Sequence, residues 1–392
     1  MSDIFGLDTD APRSIGELAE GIIGKMDDTR LPLGIHFGLD EDKYHADPGM
    51  GSSSIRDLAF GPVKYQYDKL RPRERVETEA MTFGKALHCR VLEGKEAFDN
   101  RYARPPHPKD EAYKNALVTT EDIKEVLRQH GQKLTGTKPD LIERAREIDD
   151  CPPIFDDILK DWHEKHPDHQ EITPRQAQEV EDAVMLMQRD PTLRAVMQAG
   201  SLINGAAELS IIYELDGVRR KARFDYALAP AGQRVQSLIV DLKAFSTFRG
   251  ATDEQAGINK IYEMAYEIQA AYYLQAIEPA RKLLAEGKVF GDAPSTVYLE
   301  QFLNAPAVNW VWVMIRRDKG LVPITITLHG DDPLIEKGNE TIAEALVAYE
   351  RYMAEFGPDQ LWSPPPRLPL VLNASHFPTW NRGLLHEQPE DR

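Results

Sequence analysis

The chain has 392 residues and a net charge of −17, from 47 basic and 64 acidic side chains; this argues against a protein that coats nucleic acid over its whole surface, but not against an enzyme with a local basic channel. Two cysteines, Cys89 and Cys151, exclude a disulfide scaffold and a four-cysteine zinc or iron–sulfur centre within one chain, and fit a reducing cytoplasm. The N-terminus lacks the basic start and apolar stretch of a secretory signal, and no apolar run is long enough to cross a bilayer, so neither export nor a membrane partner is expected.

Residues 1–35 read as a polar N-terminal arm with one short helix near Ile15–Met26. Residues 36–50, with His36, Tyr44, His45 and Pro48, read as a loop. Ser52, Ser53 and Ser54 precede Ile55, Leu58 and Ala59, so a serine is expected to cap a short helix that Pro62 ends. Arg71, Arg73 and Arg75 form a basic cluster in what reads as a solvated loop. Met81–Leu92 reads as a helix with Leu87 and Val91 on one face and Gly84 and His88 on an adjacent one. Residues 104–118 are proline- and charge-rich and read as a linker.

Residues 119–150 form a compact unit. A first helix starts at Thr120, places Ile123 and Leu127 on one face and stops at Gly131. An extended stretch Leu134–Pro139 leads to a second helix whose Leu141, Ile142 and Ala145 make a small apolar face. The unit resembles the SAP motif, a small DNA-binding hairpin, and that resemblance implies Lys133, Lys138, Arg144 and Arg146 as basic contacts; a plain helical hairpin is the alternative. Residues 151–172 read as a second linker, and 173–200 as one helix beginning near Thr173, with Ala183, Met187 and Val196 on its buried side.

From about residue 206 the pattern alternates. Glu208–Glu214 and Arg219–Tyr226 read as strands joined by an Asp216-Gly217 hairpin turn. After a turn at Pro230–Gly232, Gln236–Ala244 is a third strand with a short apolar run at Leu238, Ile239, Val240 and Leu242. Residues 259–287 read as one long helix, Ser295–Leu303, Trp310–Arg316 and Pro323–Leu328 as strands, and 333–356 as a helix; a proline-rich, irregular tail follows.

Chemistry concentrates on two of these strands. Asp225 lies sixteen residues before Asp241, and Asp241 and Lys243 are two apart, so both project from one face of their strand. Two carboxylates brought together in a partly buried place repel each other and suit a divalent cation. Magnesium takes a couple of carboxylates plus waters and phosphate oxygens. A lysine beside it can orient the attacking water, while the metal lowers that water's pKa. Taken alone, Asp-x-Lys on a strand is more often a surface ion pair. The helix that follows places Tyr262, Tyr266, Gln269 and Tyr273 on one stripe, able to line a nucleic-acid groove or to form a tyrosine-rich core. Arg219, Arg220, Lys221 and Arg223, with Arg316 and Arg317, are candidates for local positive charge along a DNA path.

The ordered set Phe83–His88, Glu208, Arg223-Phe224-Asp225, Asp241-Leu242-Lys243 and Tyr266–Tyr273 resembles the PD-(D/E)xK nucleases of the RecB and RecE type, most of all the phage and prophage RecE-like exonucleases. Tyr44-His45, the Ser53–Ile55 helix start and Gly61–Tyr65 resemble the lead of that group. The resemblance implies an α/β fold, a restriction-endonuclease-like core with a central mixed sheet flanked by helices. The core would be formed by residues 36–118 and 151–340, with the SAP-like unit inserted and the C-terminal helix end and tail at 341–392. It implies Asp225, Asp241 and the Leu242 carbonyl as metal ligands, with His88 at or near the metal. Lys243 would position the water, Gln269 and Tyr273 would support the site or the DNA, and Glu208 and Tyr266 would be accessory. The third-strand acid, often Glu in the family, is Asp241 here, and the 119–150 unit is not part of the family core.

The implied activity is Mg2+-dependent (or Mn2+-dependent) hydrolysis of DNA from duplex ends, 5′ to 3′, in phage-type recombination and repair. The implied partners are DNA, further copies of the chain in a ring, and a single-strand annealing protein. The alternatives are a structure- or site-selective endonuclease and a non-catalytic DNA-binding recombination factor with a relic site.

Overall fold

The computed structural model describes residues 29–70, 78–191, 193, 205–247, 252–292, 296–364, 369 and 371. The expected helix near Ile15–Met26, the basic cluster at Arg71–Arg75 and the end of the expected helix at Val196 lie outside them.

In chain order the elements are β1 (Gly34–His36), α1 (Glu41–Ala46), α2 (Ser52–Phe60), α3 (Pro62–Tyr65), α4 (Glu79–His88), α5 (Lys95–Arg101), β2 (Tyr102–Ala103), α6 (Thr120–Gln129), α7 (Lys138–Arg146), α8 (Phe155–Lys165), β3 (Gln170–Glu171) and α9 (Pro174–Arg189). The second half holds β4 (Gly205–Leu215), β5 (Val218–Leu228), β6 (Ser237–Phe245), α10 (Asp253–Met264), α11 (Tyr266–Leu274), α12 (Ile277–Ala285), β7 (Val289–Phe290), α13 (Thr296–Leu303), β8 (Val308–Arg316), β9 (Val322–Leu328) and α14 (Pro333–Phe356). Seven strands form one mixed sheet in the order β7-β1-β4-β5-β6-β8-β9, while β2 and β3 pair separately. The pairs β6–β8 and β1–β7 are parallel; the other neighbours in the large sheet are antiparallel.

Local chemistry explains most element ends. The β4–β5 hairpin turns at Asp216 and Gly217, both with positive φ (53° and 73°), as a two-residue turn matched to strand twist requires. Thr173 caps α9 through a reciprocal box with Gln176, and Pro174 occupies the first helical position, where a missing N–H costs nothing. Helix α6 carries the same device, with Thr119 rather than Thr120 as the cap and Asp122 answering it.

Several sequence expectations are corrected. Residues 36–50 are not a loop: they hold the end of β1 and all of α1, whose cap is Asp40. Both are too short to show a period. The three serines lie inside α2, capped by Gly51, and Pro62 opens α3 as well as closing α2. The stretch 151–172 contains α8, and Ile154 just before it is buried in the small core of the 119–150 unit. The helix expected over 173–200 ends at Arg189, where Asp190 adopts an extended backbone. Of the strand expected over Ser295–Leu303, Thr296–Leu303 is a helix: Tyr298, Leu299, Phe302 and Leu303 are buried at helical spacing, and Ser295 lies outside the described residues. The single helix expected over 259–287 is three, broken first at Ala265 (φ 49°, ψ 48°).

Helices cover both faces of the sheet. One core gathers Ile55 and Leu58 of α2, Ala270 to Tyr273 of α11 and Ile342 of α14 against Ile211, Phe224, Ile239 and Trp310. The other gathers Phe83, Ala86 and Leu87 of α4 and Val180 and Met187 of α9 against Tyr226, Val240, Leu242 and Val313. A third, separate cluster of Leu117, Ile123, Leu127, Leu141, Ala145 and Ile154 holds α6 and α7 together. The C-terminal segment is anchored as well: Trp362 is buried beside Tyr65, Tyr349 and Tyr352, and Gln66 bonds the backbone at Gln360 and Trp362.

Candidate active site

The sheet opens where the candidate residues lie. Strands β5 and β6 pair only over Tyr226–Leu228 against Leu238–Val240. Beyond that point β5 continues beside β4 and β6 beside β8, so Asp225 and Asp241 stand on the two arms of a fork. Side-chain direction changes at the same place. Ala222 and Phe224 enter the larger core, whereas Tyr226 and Leu228 enter the other; on β4, Leu209 and Ala206 lie in the larger core on either side of Glu208, which spoils the alternation. Glu208, opposite Asp225 where the β4–β5 register skips a pair, adopts φ 52°, a left-handed conformation that costs a residue with a side chain on the order of 1–2 kcal/mol. Such strain persists only where surrounding packing enforces it.

Asp225 bridges the fork: its Oδ2 accepts the N–H of Leu242 at 2.8 Å. His88, at the end of α4, places Nε2 2.7 Å from the Leu242 carbonyl oxygen and Nδ1 3.6 Å from Asp225 Oδ2. Asp241, 1% exposed, receives two donors on Oδ1, Lys243 Nζ at 2.7 Å and Gln269 Nε2 at 2.8 Å. Its Oδ2 is buried with no hydrogen-bond partner among the described residues. Burial raises the Asp241 pKa, Asp225 adds to the rise and Lys243 opposes it. Lys243 also faces the ring of Tyr266, with Nζ 5.4 Å from its centroid. Tyr273 bonds Ser52 of α2 at 3.4 Å, and burial pushes its hydroxyl up to about 12. The sequence carried no local signal for the Ser52 contact, which spans 221 positions.

Glu208 is held by Arg223 at 3.5 Å; burial, and then Asp225, push its carboxyl up to about 8. Arg223 itself bonds Ser210 and the Leu39 carbonyl and stacks on Tyr44.

The structure thus brings together His88, Asp225, Asp241, Leu242, Lys243, Tyr266, Gln269 and Tyr273, with Glu208 beside Asp225. Tyr262 does not join them: it is 84% exposed, because the break at Ala265 separates it from the stripe. The basic side chains of β5 are engaged within the fold. Arg219 is tied to Asp47 and Leu31, Arg220 to Gln275, and Lys221 to the carbonyls of Tyr44, His45 and Asp47, all within the fold. Burial pulls the Lys221 ammonium down to about 8. Arg316 is buried in ion pairs with Asp253 and Asp318, and Arg317 pairs with Glu179 over the Phe83 ring. In the 119–150 unit Lys133 is exposed, but Lys138 pairs with Asp156, Arg146 with Asp157, and Arg144 fastens the loop carbonyls of Lys133 and Thr135.

Among the described residues no three His, Cys, Asp or Glu side chains are gathered closely enough to hold a metal ion by themselves. The donor set nevertheless suits a hard cation that takes one or two carboxylates, a carbonyl and waters. The unpartnered Oδ2 of Asp241 is a buried carboxylate oxygen with a lone pair to give.

No protein-family model matches the chain, and no curated protein does. Among solved structures, one from Eubacterium rectale, described as a proposed exonuclease, is 13% identical with a TM-score of 0.41, over 80% of this chain and 88% of that one. The protein SSO0001 is 11% identical with a TM-score of 0.21, over 67% of this chain and 86% of that one. Among the described residues no helix is long and apolar enough to cross a membrane.

Proposed function

We propose that this chain is a metal-dependent deoxyribonuclease of PD-(D/E)xK type that hydrolyses DNA from its ends. One observation carries the reading: Asp241 is buried, gives one oxygen to Lys243 and Gln269, and among the described residues keeps the other without a hydrogen-bond partner beside Asp225. A buried ion pair kept only for stability would be expected to satisfy both oxygens, because an unpaired buried carboxylate oxygen is costly.

Asp225, Asp241 and the Leu242 carbonyl would hold Mg2+ or Mn2+, with His88 alongside. When bound, the metal lowers the pKa of a coordinated water and neutralises charge on the phosphate. Lys243 Nζ would hold the attacking water through a hydrogen bond. Gln269, bonded to Asp241 Oδ1, would keep that oxygen turned toward the lysine, and Tyr273, bonded to Ser52, would support the site.

The test is digestion of end-labelled linear and covalently closed circular duplex DNA with magnesium, comparing wild type with Lys243→Ala. Loss of linear DNA alone, abolished by the substitution, is the expected result. Cutting of closed circles would make the enzyme an endonuclease. Binding without digestion of either DNA would leave a DNA-binding factor and overturn the proposal.

A further inference from the structure

We infer that Tyr266 is a positioning residue for Lys243, and that the left-handed backbone at Ala265 is what aims it. The inference rests on the nuclease reading of the site. Lys243 carries its ammonium on a four-carbon stem with many rotamers, and a hydrogen bond to Asp241 Oδ1 defines only one direction. The Tyr266 ring supplies a second. Its face, 5.4 Å from Nζ at the centroid, attracts the cation without neutralising it and closes that side of the ammonium. What remains is the side toward Asp241 and the fork.

Tyr266 reaches this place because α10 and α11 are not one helix. Helix α11 is fixed by close packing: Ala270 and Ala271 are fully buried, and a Cβ at Gly338 of α14 would meet that of Ala271 at 2.6 Å. Helix α10 is fixed separately. Asp253 pairs with Arg316, and Gly257 sits so near β9 that a Cβ would come within 2.9 Å of Ile326. Ala265 joins the two at φ 49° and ψ 48°, buried, with its N–H on the Tyr262 carbonyl. In an uninterrupted helix Tyr262 and Tyr266 would share a face. Here Tyr262 stays in solvent and Tyr266 turns onto the lysine. A Cβ-bearing residue in this conformation is uncommon, and here it immediately precedes the residue being aimed.

The experiment pairs DNA digestion with mass-spectrometric mapping of Lys243 modification by an amine-reactive reagent, in wild type, Tyr266→Phe, Tyr266→Leu and Ala265→Gly. Tyr266→Phe keeps the ring, and Ala265→Gly keeps the turn, so both should hold kcat within about twofold. Tyr266→Leu should lower kcat on the order of tenfold with KM little changed, and Lys243 should react faster in it than in wild type. Should Tyr266→Leu fail to fold, Tyr266→Met takes its place, with the same expectation. Equal Lys243 reactivity in wild type and in the variants lacking the ring would overturn the inference. So would a loss as large in Tyr266→Phe, or an effect on KM alone. A wild type inert toward DNA would sink the nuclease reading instead, and the reactivity comparison would still decide the role of Tyr266.

Discussion

His88 Nε2 lies 2.7 Å from the carbonyl oxygen of Leu242, across 154 positions of sequence. The carbonyl accepts, so Nε2 carries a hydrogen, and the other ring nitrogen faces Asp225. The histidine therefore touches two of the three groups proposed to hold the metal. Truncating it removes an orienting partner and leaves the carboxylates in place. His88→Ala is expected to raise the magnesium concentration needed for half-maximal digestion by about tenfold or more, the usual scale for partners that orient metal ligands. A magnesium titration checks this, and an unchanged midpoint would remove His88 from the site.

Metal binding should also be visible without substrate. A cation that binds only the folded chain stabilises it by about 2.7 kcal/mol at a hundredfold excess over its dissociation constant. Magnesium or manganese should raise the melting temperature of wild type, and Asp225→Asn should abolish the rise. An identical rise in both proteins would mean that the ion binds elsewhere.

Glu208 makes a pH signature. Its carboxyl, pushed up to about 8 by burial and by Asp225, holds in the folded state a proton that the unfolded chain gives up near the ordinary glutamate value. The stability it contributes is present below that unfolded value and is lost as pH rises through about 8. Glu208→Gln cannot ionise. Its advantage over wild type should grow by on the order of 1–3 kcal/mol between about pH 5 and about pH 9, read from denaturant melts. A constant difference across that range would show that Glu208 titrates normally.

The small core around α6 and α7 predicts local behaviour. Thr119 accepts from the Asp122 N–H, and the Asp122 carboxylate accepts from the Thr119 N–H. Thr119→Ala should cost this unit about 1 kcal/mol. Amide exchange in α6 should accelerate while exchange in β5 and β6 stays constant. Acceleration in both would mean that the unit and the sheet unfold together.

Sequence spacing alone determined a good deal of this protein. It placed β4, β5, β6, β8 and β9 and the Asp216-Gly217 turn, because period-two alternation and turn chemistry are local properties. It put Asp241 and Lys243 on one strand face for the same reason, with Asp225 on the neighbouring strand; His88, Gln269 and Tyr273 became candidates for one site only through the resemblance to the RecE-type nucleases. It misread what depends on packing between distant segments. The helix at 296–303 looked like a strand because a short apolar run fits either period until burial selects one. The break at Ala265 has no glycine or proline to announce it; two helices fixed by different neighbours impose it. The basic strand reads in sequence as free charge, yet Arg219, Arg220 and Lys221 find partners in Asp47, Gln275 and backbone carbonyls that only the fold brings near. The fork between β5 and β6 is likewise tertiary. Pairing ends at Tyr226 because β5 follows β4 and β6 follows β8, and that divergence leaves a gap between Asp225 and Asp241 rather than a backbone ladder.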